Sequence, residues 1–565
     1  MCEMKKNTFL IIALISSLNS FSQAPGIQWQ NTIGGSGLDG IWSIQQSTDG
    51  GYILAGNSFS DISGDKTENS NGSADNWIVK LDSLGIIEWQ NSIGGTDIDY
   101  ISSIQQTGDG GYILGSYSSS PISGDKSESN WDTVCIPFCL KDYWLIKIDS
   151  IGIVQWENTI GGNKSDELFS VQQTTDGGYI LGGSSGSDST GDKSENNWDS
   201  TLLSNDYWII KTDSLGNIQW QNTIGGDELD WLFCTKQTTD GGYILAGRSR
   251  SLITGDKTVA SMGYDDFWIV KTDAFGNIDW QKAIGGSEAE DIRSIQLTDD
   301  GGYILGGSSR SNISGDKTEN NRDTSLATYD YWVVKIDFDG NVQWEKTIGG
   351  SRDDQLYSLQ KTTDGGYILG GFSYSNISGD KTENNCDTLY HTTDYWIVKI
   401  NSLGNILWDK SFGGIDFDNL TCMQQTADDG YILGGYSASG ISGDKTENSN
   451  GLSDFWIIKL YPDTIMTSTN NPVQHAANSI QIFPNPTTRE LRIQLMVSSG
   501  SKCKMEKVEI ADVFGNSIYY SDFNRYKYPN ELAALSIDVS SLSSGIYFVR
   551  VQSIEGIYTA KFVKE

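Results

Sequence analysis

Histidine, positive charge and long hydrophobic runs are all scarce in this chain, and each scarcity excludes a class of protein. Only 2 of the 565 residues are histidine, a poor supply for a His-based triad or a His-rich metal site. The longest apolar run, residues 9–15 (FLIIALI), is too short for a stable membrane span. No G-x4-GK[ST] motif is present, so that class of nucleotide-binding loop is missing.

Acidic residues outnumber basic ones by 73 to 39, which gives a formal net charge of −34. Such a surface repels phosphate backbones and anionic lipids, so we expect no nucleic-acid partner. What the chain has in abundance is 18 Trp, 26 Tyr and 64 Gly. Aromatic and glycine enrichment without apolar helical stripes predicts many short strands joined by tight turns.

The first 22 residues have the features of a secretory signal peptide. Two lysines precede the apolar run, and Ser20-Phe21-Ser22 forms a small-x-small site before Gln23. The alternative is a buried first helix. After removal of residues 1–22 we expect no transmembrane segment. An oxidising compartment would permit a disulfide between Cys135 and Cys139, and the sequence leaves their redox state open.

Three short motifs recur seven times and predict the fold. The spacing from the third motif to the next first motif is 20 residues in all seven cases. The stretch between the first and second motifs varies from 28 to 35 residues, so length variation is confined to one loop per repeat. The first motif, D-G-G-Y-I-L or D-D-G-Y-I-L, begins at Asp49, Asp109, Asp176, Asp240, Asp300, Asp364 and Asp428. The second, W-[ILV]-[IV]-K, begins at Trp77, Trp144, Trp208, Trp268, Trp332, Trp396 and Trp456, and the third, W-x3-[IF]-G-G, at Trp29, Trp89, Trp156, Trp220, Trp280, Trp344 and Trp408.

Each repeat contains four strand-like runs, and a four-stranded sheet of this size cannot bury both of its faces alone. The first W-x3-IGG has no third strand before it, and the last third strand, at Trp456, has no fourth strand after it. Pairing these two ends would close a ring and remove its exposed edges. We therefore predict an all-β chain with a seven-bladed β-propeller over residues 23–461, closed by its N-terminal strand.

Alternate connections of such a propeller lie on opposite faces, and one face carries the candidate site residues. This face, called the long-loop face below, holds the IGG connections and the long S/T-G-D-K loops. A carboxylate stands four residues after the last Gly of each IGG, and seven of them would ring the mouth of the central channel. Two interpretations stay open: a cation or polar-ligand site, or a cap on backbone N–H groups of each turn. These residues are Asp39, Asp99, Asp166, Asp230, Glu290, Asp354 and Asp418.

The long loops supply a second set of candidates. Their density of carboxylate and amide oxygens suits calcium outside the cell, although the pattern is not that of an EF-hand loop. Trp131 and Trp198, in the loops of blades 2 and 3, are outside the repeat pattern and suit either stacking on a sugar or peptide or fixing the loop. The candidate calcium ligands are Asp125, Glu128, Asp132, Asp192, Asp199, Asp316, Asp323, Asp380 and Asp387.

Composition changes after a polar linker, residues 462–478, and the final residues, 479–565, form a separate β domain. Its order of motifs runs from Phe483-Pro484-Asn485-Pro486-Thr487 through Leu491-Arg492-Ile493 and Gly545-Ile546-Tyr547 to Lys561-Phe562-Val563-Lys564. This domain resembles the type A C-terminal sorting domain of the bacterial type IX secretion system. The resemblance implies an Ig-like sandwich that the outer-membrane translocon recognises, and cargo that is released or attached to the surface. The propeller repeats also resemble repeats of exported cargo of this kind.

Three functions stay open on the sequence. The first is an exported binding module, secreted or displayed on the cell surface, that uses the long-loop face to bind a glycan, a protein or an ion. The second is a carbohydrate-active hydrolase or lyase using carboxylates on that face. The third is a passive structural or adhesive surface protein. Because the repeats are nearly interchangeable and no catalytic constellation is evident, we predict no catalytic residues and no cofactor other than the calcium considered above.

Overall fold

A computed structural model describes residues 21–131, 140–199, 204–323, 328–387, 392–466, 478–483, 487–497, 505–512, 517–522, 534–553 and 556–564. Asp132, the pair Cys135 and Cys139, and residues 1–20 of the signal prediction lie outside these ranges. Within them the regular structure is entirely β, and no helix long and apolar enough to cross a membrane is found. The chain divides into two compact units, residues 1–467 and 468–565.

The first unit contains seven four-stranded antiparallel sheets, the blades, numbered here in chain order from the sheet that follows the first IGG. The innermost strands of blades 1 to 7 are Asp39–Gln46, Asp99–Gln106, Asp166–Gln173, Asp230–Gln237, Glu290–Leu297, Asp354–Lys361 and Asp418–Gln425. The second strands are Tyr52–Ser58, Tyr112–Ser118, Tyr179–Ser185, Tyr243–Ser249, Tyr303–Ser309, Tyr367–Ser373 and Tyr431–Ser437. The third strands are Asp75–Leu81, Asp142–Ile148, Asp206–Thr212, Asp266–Thr272, Asp330–Ile336, Asp394–Ile400 and Asp454–Leu460. The outermost strands are Ile87–Ile93, Val154–Ile160, Ile218–Ile224, Ile278–Ile284, Val342–Ile348, Ile406–Phe412 and, for blade 7, Ile27–Ile33.

Blade 7 is completed by the start of the chain. Its outermost strand, Ile27–Ile33, pairs antiparallel with Asp454–Leu460, so the ring is closed by the N-terminal strand as the sequence predicts. A short strand pair, Phe21–Gln23 with Thr464–Met466, adjoins this junction. The innermost strand of each blade contacts the innermost strand of the next, blade 7 to blade 1 included. The seven innermost strands therefore surround a common axis.

Tryptophan and tyrosine rings hold adjacent blades together. The Trp of every third strand is fully buried, and in most junctions it packs on the aromatic residue that directly precedes the equivalent Trp in the preceding blade. Trp208 packs on Tyr143 with ring centroids 4.9 Å apart, for example, and Trp77 of blade 1 packs on Phe455 of blade 7 at 4.8 Å. Burial of each such ring contributes roughly 4–6 kcal/mol at about 25 cal/mol/Å². The repeated tryptophans thus form the core between blades.

Short turns on the opposite face fix the hairpins. The first glycine of each D-G-G turn has a positive φ, such as 86° at Gly50, and Asp429 occupies this position in blade 7 with a φ of 62°. A Cβ on Gly51 would lie 2.3 Å from the Leu81 carbonyl oxygen, so glycine is required there by space as well. The Asp that opens each turn forms an ion pair with the buried Lys of the third strand, as in Asp176 with Lys211 at 2.9 Å.

The second unit is a small sandwich of two antiparallel sheets. Leu491 and Ile537 of one sheet pack in a single core with Val549 and Phe562 of the other. One sheet contains Asn478–Phe483, Glu490–Val497 and Ala534–Asp538, and the other contains Ser517–Asp522, Met505–Asp512, Gly545–Ser553 and Gly556–Lys564.

Candidate functional site

The seven carboxylates after the IGG motifs are buried and bonded within their own turns. Each has at most 1% of its surface exposed. In every blade the carboxylate accepts a hydrogen bond from the backbone N–H of the second IGG glycine, at 2.6–2.8 Å. A serine hydroxyl donates a second bond, as from Ser60 to Asp39 at 2.9 Å. This is the geometry of the capping interpretation, and a ligand role for Asp39, Asp99, Asp166, Asp230, Glu290, Asp354 and Asp418 stays a prediction.

A second row of buried aspartates begins the third strands, and each approaches the IGG carboxylate of the next blade. Burial first, and then repulsion by Asp166, raises the pKa of Asp142 to about 8. Burial raises the pKa of Asp166 itself to about 6. The buried lysine of the G-D-K motif lies among these carboxylates, and burial lowers the pKa of Lys193 to about 8. Lys193 therefore lies near the two buried acids of its own blade, Asp166 and Asp206, while the contact between Asp142 and Asp166 crosses from one blade to the next.

The G-D-K aspartates also accept hydrogen bonds from nearby N–H groups. Asp125 accepts hydrogen bonds from the Gly94 N–H at 3.1 Å and from the Asn71 amide at 3.0 Å. Asp316 accepts from the Gly285 N–H at 3.2 Å, and Asp380 accepts from the Arg322 guanidinium at 2.7 Å.

The remaining candidate calcium ligands that the structure describes have partners of their own. Glu128 accepts from the Thr159 N–H at 2.8 Å. Asp199 and Asp387 are buried and Asp323 is partly buried, and each has its own partner. Among the described residues no group of three His, Cys, Asp or Glu side chains is placed to hold a metal ion. The calcium site stays a prediction, with Asp132 outside the described ranges.

Trp131 and Trp198 each connect two blades. The Trp131 indole Nε1 donates to Asp192 of the next blade at 2.6 Å, and Trp198 donates to Asp256 at the same distance. The Trp131 ring lies against Gly191, where an added Cβ would come within 2.8 Å of it. About half of each side chain remains exposed. The rings thus fix long loops to the neighbouring blade, and stacking on a ligand stays a prediction for the exposed half.

The innermost strands also contain a position at which the blades differ in sequence. Each of these strands has a bulge three residues after its first residue, so one side chain leaves the regular alternation toward the axis. Core positions repeat between blades, but the bulge residue has no consensus. It is Trp42, Ser102, Phe169, Phe233, Arg293, Tyr357 and Thr421 in blades 1 to 7. This lack of consensus at a fixed position of the repeat is the feature of the sequence that distinguishes the bulge residues from the core.

In blades 3 to 6 the bulge residues touch one another in succession. Phe169 and Phe233 have ring centroids 5.3 Å apart. The Arg293 guanidinium lies 4.6 Å from the Phe233 centroid and 5.2 Å from that of Tyr357. Trp231 packs on Phe169 at 6.1 Å. These residues, with Arg248, form a continuous surface around part of the axis, the aromatic–arginine wall: Phe169, Trp231, Phe233, Arg248, Arg293 and Tyr357.

Two arginines of the wall share one carboxylate. The Arg293 Nε and Nη2 donate to Asp291 Oδ2 at 3.0 and 2.6 Å. Burial acts to lower the pKa of Arg293, but the Asp291 charge more than offsets it and the net pKa is raised. The Arg248 guanidinium stacks over Trp231 at 5.4 Å and over Phe233 at 5.8 Å. Its nearest carboxylate oxygen, on Asp291, is 3.7 Å away, beyond hydrogen-bond distance.

The second unit is the part of the chain that a known family of domains matches. Residues 481–565 match the secretion system C-terminal sorting domain. The sorting domain implies that type IX secretion machinery handles the chain and exports it to the cell surface or the extracellular space. No curated protein matches the chain.

Solved structures resemble the propeller at low identity. The WD40 domain of Neurospora crassa Pan2 aligns with a TM-score of 0.39 and 8% identity, covering 79% of this chain and 97% of its own. Sqt1 from Chaetomium thermophilum aligns with a TM-score of 0.37 and 10% identity, covering 77% of this chain and 100% of its own. At such identities the likeness concerns the fold alone and carries no argument on function.

Proposed function

We propose that this protein is an exported binding module whose propeller binds an extracellular glycan at the aromatic–arginine wall. One observation carries the proposal: blades with nearly identical cores differ at the bulge, where the side chains of Phe169, Arg293 and Tyr357 are partly exposed. A purely structural ring needs no such differences. Concave sites lined by aromatic groups and a few charged ones are typical of ligand binding.

The edges of the innermost strands favour a glycan over an extended peptide. A peptide that binds as an added strand needs free backbone N–H and C=O groups. At five junctions the backbone N–H of the last inner-strand residue already donates to a glutamine side chain of the neighbouring blade, at 2.6–3.3 Å. The Thr421 hydroxyl similarly donates to the Ile41 carbonyl at 2.6 Å. Flat rings, in contrast, offer apolar faces to the C–H faces of a pyranose.

Binding of the full-length protein to an immobilised panel of neutral and acidic polysaccharides tests the proposal. We expect saturable binding to at least one polysaccharide, weakened at least tenfold by Tyr357→Ala. The matched control is Phe338→Ala, which removes a 64% exposed ring from a turn on the opposite face and leaves binding unchanged. Absence of binding to every polysaccharide, or equal binding by Tyr357→Ala, contradicts the proposal. Turnover of the bound polysaccharide would favour the hydrolase or lyase instead.

A further inference from the structure

Arginine is distributed very unevenly in this acidic propeller. All six arginines of residues 23–461 lie within the span from Arg248 to Arg352, which belongs to blades 4 to 6. The other blades use lysine for every cation, although the chain as a whole has a net charge of −34. Arginine differs from lysine in its planar fork of donors, which matches a carboxylate with two parallel hydrogen bonds. The distribution therefore marks one sector of the ring for planar anion recognition.

Some of these arginines have structural partners, and two lie in the wall. Arg250 pairs with Asp265 at 2.9 Å, and Arg322 pairs with Asp380 at 2.7 Å. Arg248 and Arg293, with 31% and 30% of their side chains exposed, share the single carboxylate of Asp291. The wall thus has an excess of one positive charge where water still reaches it.

Among the described residues, one donor of this sector has no acceptor and a second has only a distant one. The Arg248 guanidinium makes only the stacking contacts and the 3.7 Å approach to Asp291. The buried Trp231 Nε1 has no hydrogen-bond partner. Trp231 and Arg248 face each other across paired strands of blade 4, so both donors are side by side. A buried donor without an acceptor destabilises the folded state, and an acceptor on a ligand would remove that cost.

We propose that these two donors bind the carboxylate of a uronic-acid residue in an acidic polysaccharide. The Arg248 fork and the Trp231 Nε1 donate to the carboxylate oxygens, while Arg293, held by Asp291, supplies a second positive charge. The partly exposed ring of Tyr357 contacts the apolar face of the sugar. This inference rests on the proposed glycan-binding function and adds the chemical class of the glycan.

The overall charge of the protein argues against a polymer with several charges on each sugar. A heavily sulfated polymer would place several charges per sugar beside a protein with a net charge of −34, whereas a polyuronate places at most one and the arginine sector is a single patch. Carboxylate groups on alternate or successive sugars need only one residue in register with the patch.

Calorimetric titration of the full-length protein tests this with polygalacturonate, alginate and hyaluronate, each in its native form and after reduction of its carboxyl groups to alcohols. We expect at least one native polyuronate to bind at least tenfold more tightly than its reduced form. Arg248→Gln should weaken that binding at least tenfold, and Arg248→Lys by an intermediate factor because it keeps the charge and loses the fork. The matched control, Arg250→Gln, should change the Kd by less than twofold. Tryptophan fluorescence melting verifies that each variant is folded.

Four results would overturn the inference: no binding of any polyuronate, equal binding of native and reduced polymers, equal effects of the Arg248 and Arg250 substitutions, or equally tight binding of a sulfated galactan. An acidic peptide that binds more tightly than every polyuronate would also overturn it. If reduced polymers bind equally and Tyr357→Ala still abolishes binding, the glycan-binding function stands and only the carboxylate recognition falls. If no polysaccharide binds at all, both fall together.

Discussion

Removing one buried acid, by Asp142→Asn, should flatten the dependence of propeller stability on pH. Asp142 is fully buried, and its Oδ2 accepts a hydrogen bond from the Trp131 N–H that an amide oxygen can keep. Burial first, and then the charge of Asp166, raises its pKa from 3.8 to about 8. Lys126 and Asp192 also act on it, with opposite signs. The raised pKa means that the folded state holds a proton that the unfolded chain has released.

The sign and size follow from proton linkage. A carboxyl whose pKa is raised by folding stabilises the protein fully below its unfolded pKa, and this stability is lost as pH rises toward the folded pKa. Between pH 5 and pH 7 unfolding therefore releases about one proton at Asp142, which lowers the free energy of unfolding by about 1.4 kcal/mol per pH unit. Over two units the loss is about 2.7 kcal/mol. Asp142→Asn should remove this contribution to the pH dependence of stability and leave the contributions of the equivalent acids at the other junctions.

Urea unfolding followed by tryptophan fluorescence at pH 5, 6 and 7 measures the difference. All 18 tryptophans lie between Trp29 and Trp456, so the signal reports on the propeller alone. The matched control is Asp61→Asn, which changes an exposed carboxylate on the same face and should keep the wild-type slope. Parallel curves for wild type and Asp142→Asn would refute the reasoning, because they would show that the buried acid is ionised in the folded state.

Three further substitutions test the packing and the ion pairs, each by urea unfolding of the full-length protein. Burial acts to raise the pKa of Asp176, but its bonds to a threonine and to Lys211 lower the pKa to about 2. Asp176→Asn should therefore cost about 1 kcal/mol at pH 7, fading as pH falls from about 4 toward 2; a cost that grows on acidification would contradict this. Trp208→Ala removes a fully buried ring and should cost about 3–5 kcal/mol, with less than 1 kcal/mol counting against its core role. Trp131→Phe loses the hydrogen bond to Asp192 and should lower the free energy of unfolding by about 1 kcal/mol. Adding Asp192→Asn to this variant should lower it no further, and fully additive effects of the two substitutions would contradict the contact.

The fold could be predicted from the sequence because its core positions repeat. Trp77 and its six counterparts sit at fixed spacings since each fills the same space between two blades, and the turn glycines recur since each hairpin needs the same positive φ. Ring closure followed from the missing strand at each end. The sorting domain was accessible through ordered motifs that end at Lys564.

The candidate site was harder to predict from the sequence, for two physical reasons. The bulge residues, such as Phe233 and Arg293, are identifiable only when the strand register is known, because a shift of one residue reverses the direction of a side chain. Their contacts also join blades about sixty residues apart in the chain. The conspicuous acids, such as Asp166, cap the same turn in each blade, so their repetition alone does not identify a site.

The closing strand sets the order in which this protein can finish folding. The Trp456 indole donates to the Gln30 side chain, 426 positions earlier in the chain, so blade 7 cannot form until both ends of the propeller sequence are present. Closing a loop of that length costs about 2–3 kcal/mol more in chain entropy than closing one of about 25 residues. A chain truncated before Asp454 would keep its early blades and leave Ile27–Ile33 without a partner, with exposed strand edges available to other chains. The closed, aggregation-resistant ring thus forms only when the complete propeller sequence is present, because blade 7 needs both of its ends.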